Sequence, residues 1–247
     1  MEHQSIDAYD LPRRVASYDG DTELMHPNRS RMVGVALDVL PQPRAAPLRA
    51  LDLGVGTGYF TQRFLEFFPS SRVVAIDGAQ RMVDMAKTRL GASANRVDFR
   101  IGDFRNRKYL AADTPAFDVI FSSYSLHHLT RDEKEAVIRQ ALGLLRPGGW
   151  FLNADLVVAD SAEMESRIQQ IRVDGIVGRA NGTDERFRDA VATRRFLDEL
   201  EARDADQPLT LLEDLNQSQG ENYMLRLRER RAGARRHAPT MWIPPWT

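Results

Sequence analysis

The chain has 247 residues, 43% of them hydrophobic and 28% charged, with a formal net charge of −1, which fits one globular domain with or without a cap. Charge this close to balance sets up no global field toward nucleic acid or a membrane surface. The absence of cysteine excludes disulfides, thiolate catalysis and cysteine-bound zinc; no apolar run is long enough to span a bilayer and no basic-then-apolar leader opens the chain, so the cytoplasm is the expected compartment.

Residues 1–24 are polar with scattered aromatics, Tyr9 and Tyr18 among them, and read as a lid or short helix within an N-terminal segment 1–47. His26-Pro27-Asn28 introduces an apolar stretch, Met32 to Leu40, that suits a helix stopped by Pro41. From 48 to 157 short apolar strands alternate with amphipathic helices, the pattern of a parallel sheet covered on both faces. Leu51-Asp52-Leu53 runs into Gly54, Gly56 and Gly58, and an apolar helical stretch starts at Tyr59. That is a strand, a glycine turn and a helix, where backbone approaches a ligand closely and free N–H groups favour an anionic group.

Val73 to Asp77 predicts a second buried strand, and Gly78-Ala79-Gln80-Arg81-Met82 leads into a helix. Asp77 therefore has two readings, a helix N-cap and a carboxylate that accepts from both ribose hydroxyls of a nucleoside. Val97 to Ile101 predicts a third strand, followed by Gly102-Asp103-Phe104, and Phe117 to Phe121 a fourth, followed by Ser122-Ser123-Tyr124-Ser125-Leu126-His127-His128-Leu129. Helices are expected at Gly58–Phe68, Ala79–Leu90 and Arg131–Leu145; the last ends at Arg146-Pro147-Gly148-Gly149 before a fifth strand, Trp150 to Leu156.

The glycines are spaced G-x-G-x-G, one residue tighter at the third position than the dinucleotide pattern. Asp52, two residues before Gly54, would repel a pyrophosphate and suit an ammonium group. With its D-x-G-x-G-x-G motif and the L-R-P-G-G step before the fifth strand, the chain resembles the class I S-adenosylmethionine-dependent methyltransferases over roughly residues 48–157. The resemblance implies an α/β, doubly wound, mostly parallel sheet of Rossmann-like type. It also implies S-adenosyl-L-methionine as cofactor, held by Asp52, Gly54, Gly56, Gly58, Asp77, Gly78, Met82, Asp103, Phe104, Ser122 and Ser123. In the family Asp103 matches an acid that accepts from the adenine amino group, Phe104 packs on the ring, and Met82 flanks it, although a helical Met is also ordinary core filler.

The sulfonium makes the methyl group electrophilic, so alignment and desolvation do most of the work, and a base is needed only for a protonated acceptor. His127, His128 and Tyr124 lie where the resemblance places the reacting methyl, and are the catalytic candidates. Only one of two adjacent histidines can face the pocket. A metal set of His127 or His128 with Asp155 has no diagnostic spacing, and no metal is expected.

Residues 158–207 are expected to form a helical roof over the open end of the sheet, with apolar faces at Ile168, Ile171, Ile176 and Val177 and at Phe187, Val191, Phe196, Leu197 and Leu200. Arg179-Ala180-Asn181-Gly182 and Arg194-Arg195 resemble residues of the tRNA wobble-uridine carboxymethoxy pathway enzymes, where a roof arginine grips an added carboxylate; Arg195 is the nearest match. A solvated helix face is the other reading of Arg194 and Arg195. The segment 208–247 departs from the family ending of helix and antiparallel hairpin. Leu209–Asn216 suits the helix and Asn222–Leu227 one strand, but the proline-rich stretch 238–246 makes a poor second strand and would leave a sheet edge open. The expected function is methyl transfer to a small-molecule acceptor. A tRNA-modifying enzyme, which needs a basic surface such as the Arg226–Arg236 cluster, and a non-catalytic S-adenosylmethionine-binding or NAD-dependent protein are the alternatives. No membrane partner is expected, and the oligomeric state is open.

Overall fold

A computed structural model describes residues 6, 9–106, 110, 116–156, 161–204 and 240–242. The core is a parallel sheet of β1 (Arg49–Leu53), β2 (Arg72–Asp77), β3 (Val97–Ile101), β4 (Phe117–Ser123), β5 (Leu145–Ala154) and β6 (Thr240–Trp242), in the order β3-β2-β1-β4-β5-β6. Strands β1, β2 and β4 are almost wholly buried, which is why they read as continuous apolar runs. Around them run α1 (Pro12–Met25), α2 (Arg29–Asp38), α3 (Tyr59–Phe67), α4 (Gln80–Leu90) and α5 (Arg131–Leu144). The insertion adds α6 (Ala162–Ala180) and α7 (Ala190–Asp204).

The order of strands reverses between β2 and β4 on either side of β1, so the carboxyl end of β1 opens onto the crevice where such sheets bind ligands. Two apolar clusters, one on each face of the sheet, hold it: Phe60, Phe64 and Phe68 with Phe121 on one side, Val137, Ile138 and Ala141 of α5 against Ile120 and Phe151 on the other. A reciprocal capping box starts α5, with Thr130 Oγ1 accepting from the Glu133 N–H and Glu133 from the Thr130 N–H.

Three expectations change. The fifth strand begins at Leu145 rather than at Trp150: Leu145 pairs with Phe117, Trp150 with Val119, and the breaker residues between them bulge out of register. The roof helices exist, but Ile171 (63% exposed) and Val191 (79% exposed) face outward, and the buried seam is Val173, Ile176, Ala180, Phe187 and Leu197. Thr240–Trp242, inside the stretch expected to be a poor strand, pairs in parallel with Phe151–Asn153 and covers that part of the β5 edge. The expected elements at 209–216 and 222–227 and the arginine cluster at 226–236 lie outside the described residues.

Candidate cofactor and transfer site

The glycine turn is stitched to β2, with the N–H groups of Gly54 and Val55 both donating to Ile76 O at 2.9 Å. Gly58 caps α3 in the left-handed conformation, and a Cβ there would lie 2.9 Å from Ala86 Cβ. Its absence lets α3 approach α4; Gly58 does not line the cavity and acts through packing. Asp77 bridges the glycine turn and the start of α4, where the N-cap position itself belongs to Ala79 and not to Asp77. Its Oδ2 accepts from the Gly56 N–H at 2.8 Å and its Oδ1 from the Ala79 N–H at 2.9 Å, at the start of α4. It also opens on the cavity. Burial raises its pKa, opposed by hydrogen bonds from the backbone of Ala79, Gly56 and Gly78.

Those three donors use most of the roughly four acceptor sites of a carboxylate, which leaves about one for a further donor. Asp52 is 1% exposed and accepts from Thr61 Oγ1 at 2.6 Å. Burial pushes its carboxyl up to about 7, against the Thr61 hydrogen bond and with help from the nearby Asp77. The sign of the consequence is fixed. Unfolded, the group titrates near 3.9; folded, it keeps its proton up to about 7. The folded state thus binds the extra proton in between, and stability falls as pH climbs through that window. His26, whose pKa is held well below its usual value by burial and then by Arg172, His127, Arg29 and Arg179, acts in the opposite sense at the acidic end. We predict that wild type minus Asp52→Asn isolates the effect: in urea unfolding of the unliganded protein, the difference shifts against wild type from about pH 4 to about pH 7 and levels off above it. A pH-independent difference would remove Asp52 as the titrating group.

Asp103 sits at the cavity rim with both oxygens gripped by Arg105, whose Nε lies 2.9 and 2.8 Å from them, and Arg105 continues to Glu133 at 3.1 Å. Phe104 and Met82 line the cavity. Ser123 does too, whereas Ser122 is fully buried with its Oγ donating to Leu53 O, tying β4 to β1.

The two histidines separate cleanly. The Nδ1 of His127 lies 2.6 Å from Asp155 Oδ1, and its backbone N–H donates to Oδ2 at 3.1 Å. Asp155, 0% exposed, also accepts from the Leu156 N–H. His127 is thereby pinned to the end of β5 and does not line the cavity, while His128 does. Among the described residues no group of three or more His, Cys, Asp or Glu side chains could hold a metal ion. Tyr124 lines the cavity with φ of 50°, a left-handed conformation that is costly for a bulky residue and typical of functional loops. Its ring lies 4.7 Å from that of His26.

The N-terminal segment closes the site and supplies residues that motif reading did not single out as ligands. Ile6, Tyr9, Tyr18 and Arg29 line the cavity with Thr57 and Ser125, and together with the loop residues they enclose about 870 Å³, part of it open to solvent. Asp19 of α1 bonds Thr57 Oγ1 at 2.9 Å and pairs with Arg29 and Arg89. The Arg29 guanidinium stands 4.2 Å over the Tyr59 ring, and its Nε is buried with no hydrogen-bond partner among the described residues.

No residue of α6 or α7 lines this cavity; the roof holds α1 from behind through Arg186–Asp21 and Arg179 Nε–Leu24 O, both 2.7 Å. Arg195 pairs with Glu199 and Arg194 with Asp198 on an exposed face, so the solvated reading holds and Arg195 grips nothing in the cavity. The described residues include no helix long and apolar enough to cross a membrane.

Residues 50–149 match the model of a methyltransferase domain family. An uncharacterized methyltransferase of Geobacillus kaustophilus is 30% identical over 174 residues, 70% of this chain and 73% of that protein. Another, from Anoxybacillus flavithermus, is 35% identical over 127 residues, 51% of this chain and 56% of its own length; the match thus spans little more than half of that relative. Among solved structures, an O-methyltransferase family protein from Burkholderia thailandensis superposes with a TM-score of 0.54 at 20% identity, covering 73% of this chain and 58% of that one. A DhpI-SAM-HEP complex superposes at 0.50 and 23% identity, covering 67% and 70%; both likenesses concern the fold alone. With its D-x-G-x-G-x-G turn at the switch point of a parallel sheet, the chain belongs to the class I S-adenosylmethionine-dependent methyltransferase family.

Proposed function

We propose that the protein binds S-adenosyl-L-methionine in the cavity above β1 and transfers its methyl group to a small-molecule acceptor by in-line displacement at sulfur. One observation carries the reading: three carboxylates (Asp52, Asp77, Asp103) and two guanidiniums (Arg29, and Arg105 already paired with Asp103) converge on a single glycine-walled cavity. That charge pattern is complementary to a nucleoside carrying an ammonium, a sulfonium and a carboxylate. Asp52 lies on the side of the ammonium, Asp77 meets a ribose hydroxyl, and Asp103 and Phe104 meet the adenine. Arg29, whose side chain lines the cavity, takes the carboxylate through a charge-assisted hydrogen bond. The residues present therefore fit the cofactor, which supplies the electrophilic methyl. Tyr124 and His128 then border the position of the reacting carbon, and closure by α1 excludes water. A cavity roofed by the chain's own helix favours an acceptor small enough to be enclosed over a nucleic acid strand.

Two measurements test this. Calorimetry with S-adenosylhomocysteine should give one site per chain, and Arg29→Met should weaken it by about 1.5–3 kcal/mol, on the order of 10- to 100-fold. Radiolabelled S-adenosylmethionine incubated with a metabolite extract and total RNA should place label in small molecules. Label confined to RNA would replace the small-molecule reading with the tRNA one, and unaltered affinity in Arg29→Met would remove that residue from the carboxylate.

A further inference from the structure

We propose that the acceptor is an aryl hydroxyl, that His128 takes its proton, and that the phenol of Tyr9 holds the acceptor's place in the unliganded protein. The proposal rests on the cofactor reading above and narrows it to one nucleophile. Tyr9 Oη lies 3.3 Å from His128 Nε2, and the two rings meet edge-on, 5.5 Å apart at 64°. The other side of the Tyr9 ring meets Tyr18, 6.0 Å away at 75°. A phenol is therefore already seated here with its hydroxyl on an imidazole nitrogen and its ring between two aromatic neighbours, the edge-to-face arrangement aromatic rings prefer.

The seat is built by the fold, but its occupant is not part of the sheet. His128 is presented because His127 is pinned behind it, its ring centroid 4.0 Å away, by the buried Asp155. Tyr9 belongs to the N-terminal segment, whose Asp10 Oδ1 accepts from the Arg81 N–H at 2.9 Å. Rotation of one side chain on that segment vacates the seat without disturbing a strand. An incoming phenol reproduces both contacts, the hydroxyl to His128 and the ring to Tyr18.

The step balances without a further reactant. The acceptor's O–H proton passes to His128 Nε2 and a lone pair of the oxygen forms the new O–C bond. The C–S bond breaks with its electron pair going to sulfur, which leaves as a neutral thioether, and the imidazolium returns its proton to solvent.

The test uses 4-nitrophenol as probe, at slightly acidic pH, on the full chain loaded with S-adenosylhomocysteine, whose binding is titrated separately for each variant. Wild type should bind the probe and develop its phenolate band. Tyr9→Ala should bind it about tenfold more tightly, because self-occupancy lowers apparent affinity by the fraction of sites left open. Tyr9→Phe, which keeps the ring and loses the hydroxyl contact, should fall between and serves if the alanine variant fails to fold. His128→Gln should bind the probe without the band and keep its affinity for S-adenosylhomocysteine. Equal probe affinity in wild type, Tyr9→Phe and Tyr9→Ala, or a phenolate band that survives His128→Gln, overturns the proposal. So does loss of S-adenosylhomocysteine binding in His128→Gln, which would assign the histidine to the cofactor. Failure of wild type to bind S-adenosylhomocysteine sinks the cofactor reading itself and shows in that separate titration.

Discussion

Gly54→Ala is expected to destabilise the protein by about 2–5 kcal/mol and to abolish measurable binding of S-adenosylhomocysteine. Two independent costs add. Gly54 has φ of +81°, where an L side chain costs about 1–2 kcal/mol. A Cβ at that position would also stand 2.0 Å from Ser125 Oγ and 2.7 Å from Ser125 Cβ. The Oγ can rotate away, but the Cβ is fixed to the backbone of the β4 loop, so loop and turn must separate, at about 1–3 kcal/mol for an overpacked contact. The separation falls where the cofactor sits, because both Gly54 and Ser125 line the cavity. Urea unfolding and calorimetry on the same preparation measure the two effects. Gly34→Ala, inside α2, where a Cβ meets nothing within 4 Å and φ is not left-handed, is the control expected to leave ligand affinity unchanged and to raise stability by about 0.5–1 kcal/mol. Near-wild-type affinity in Gly54→Ala would mean that the β4 loop is not a fixed wall of the site.

How much of this was legible in the sequence follows from where each constraint acts. The glycine turn was readable because its requirement is local: three alternate glycines between a buried strand and an amphipathic helix leave little else for the chain to do. Asp52, Asp77 and Asp103 were readable because each ends or follows an apolar strand of a parallel sheet, and those ends share one edge. The seat of Tyr9, Tyr18 and Arg29 was not. In the sequence Tyr9 and Tyr18 are scattered aromatics, and the place of Tyr18, with the segment that precedes it, is set by the wedging of α1 between Thr57 on one side and Arg186 and Arg179 on the other. No periodicity encodes that packing. The choice between His127 and His128 was likewise invisible, since adjacent residues differ only in which finds a partner, and Asp155 lies 28 positions away. In the roof, the sequence offers one apolar face on each helix, and tertiary contact decides which of their residues are used: Ile176, Phe187 and Leu197 join Val173 and Ala180 in a seam against Leu24 and Met25, while Ile171 and Val191 stay exposed.

Asp77→Ala carries the second large expected effect, and a cycle separates its two roles. Removing the carboxylate orphans the Gly56 and Ala79 N–H groups, which donate at 2.8 and 2.9 Å. At about 1–3 kcal/mol for each unsatisfied buried donor, less where water enters the vacated space, a net loss of about 2–4 kcal/mol in unfolding free energy is expected. Asp77→Asn should recover little, because its amide NH₂ would point a donor at one of the two N–H groups. Loss of loop order alone would weaken any nucleoside ligand, so lost affinity does not by itself place Asp77 on the ribose. Comparison of S-adenosylhomocysteine with its 2′-deoxy and 3′-deoxy analogues does. Wild type should discriminate against one of the two by about tenfold, since three backbone donors leave the carboxylate room for one hydroxyl, and Asp77→Ala should bind that analogue and the parent equally. Undiminished discrimination in Asp77→Ala would leave the residue as a loop and helix anchor only. Asp52 reports on the same change. The charge of Asp77 helps to raise the Asp52 pKa, so in Asp77→Ala the pH window over which Asp52 destabilises the unliganded fold should end at a lower pH than in wild type. A window that does not move would mean the two carboxylates are not coupled across the turn.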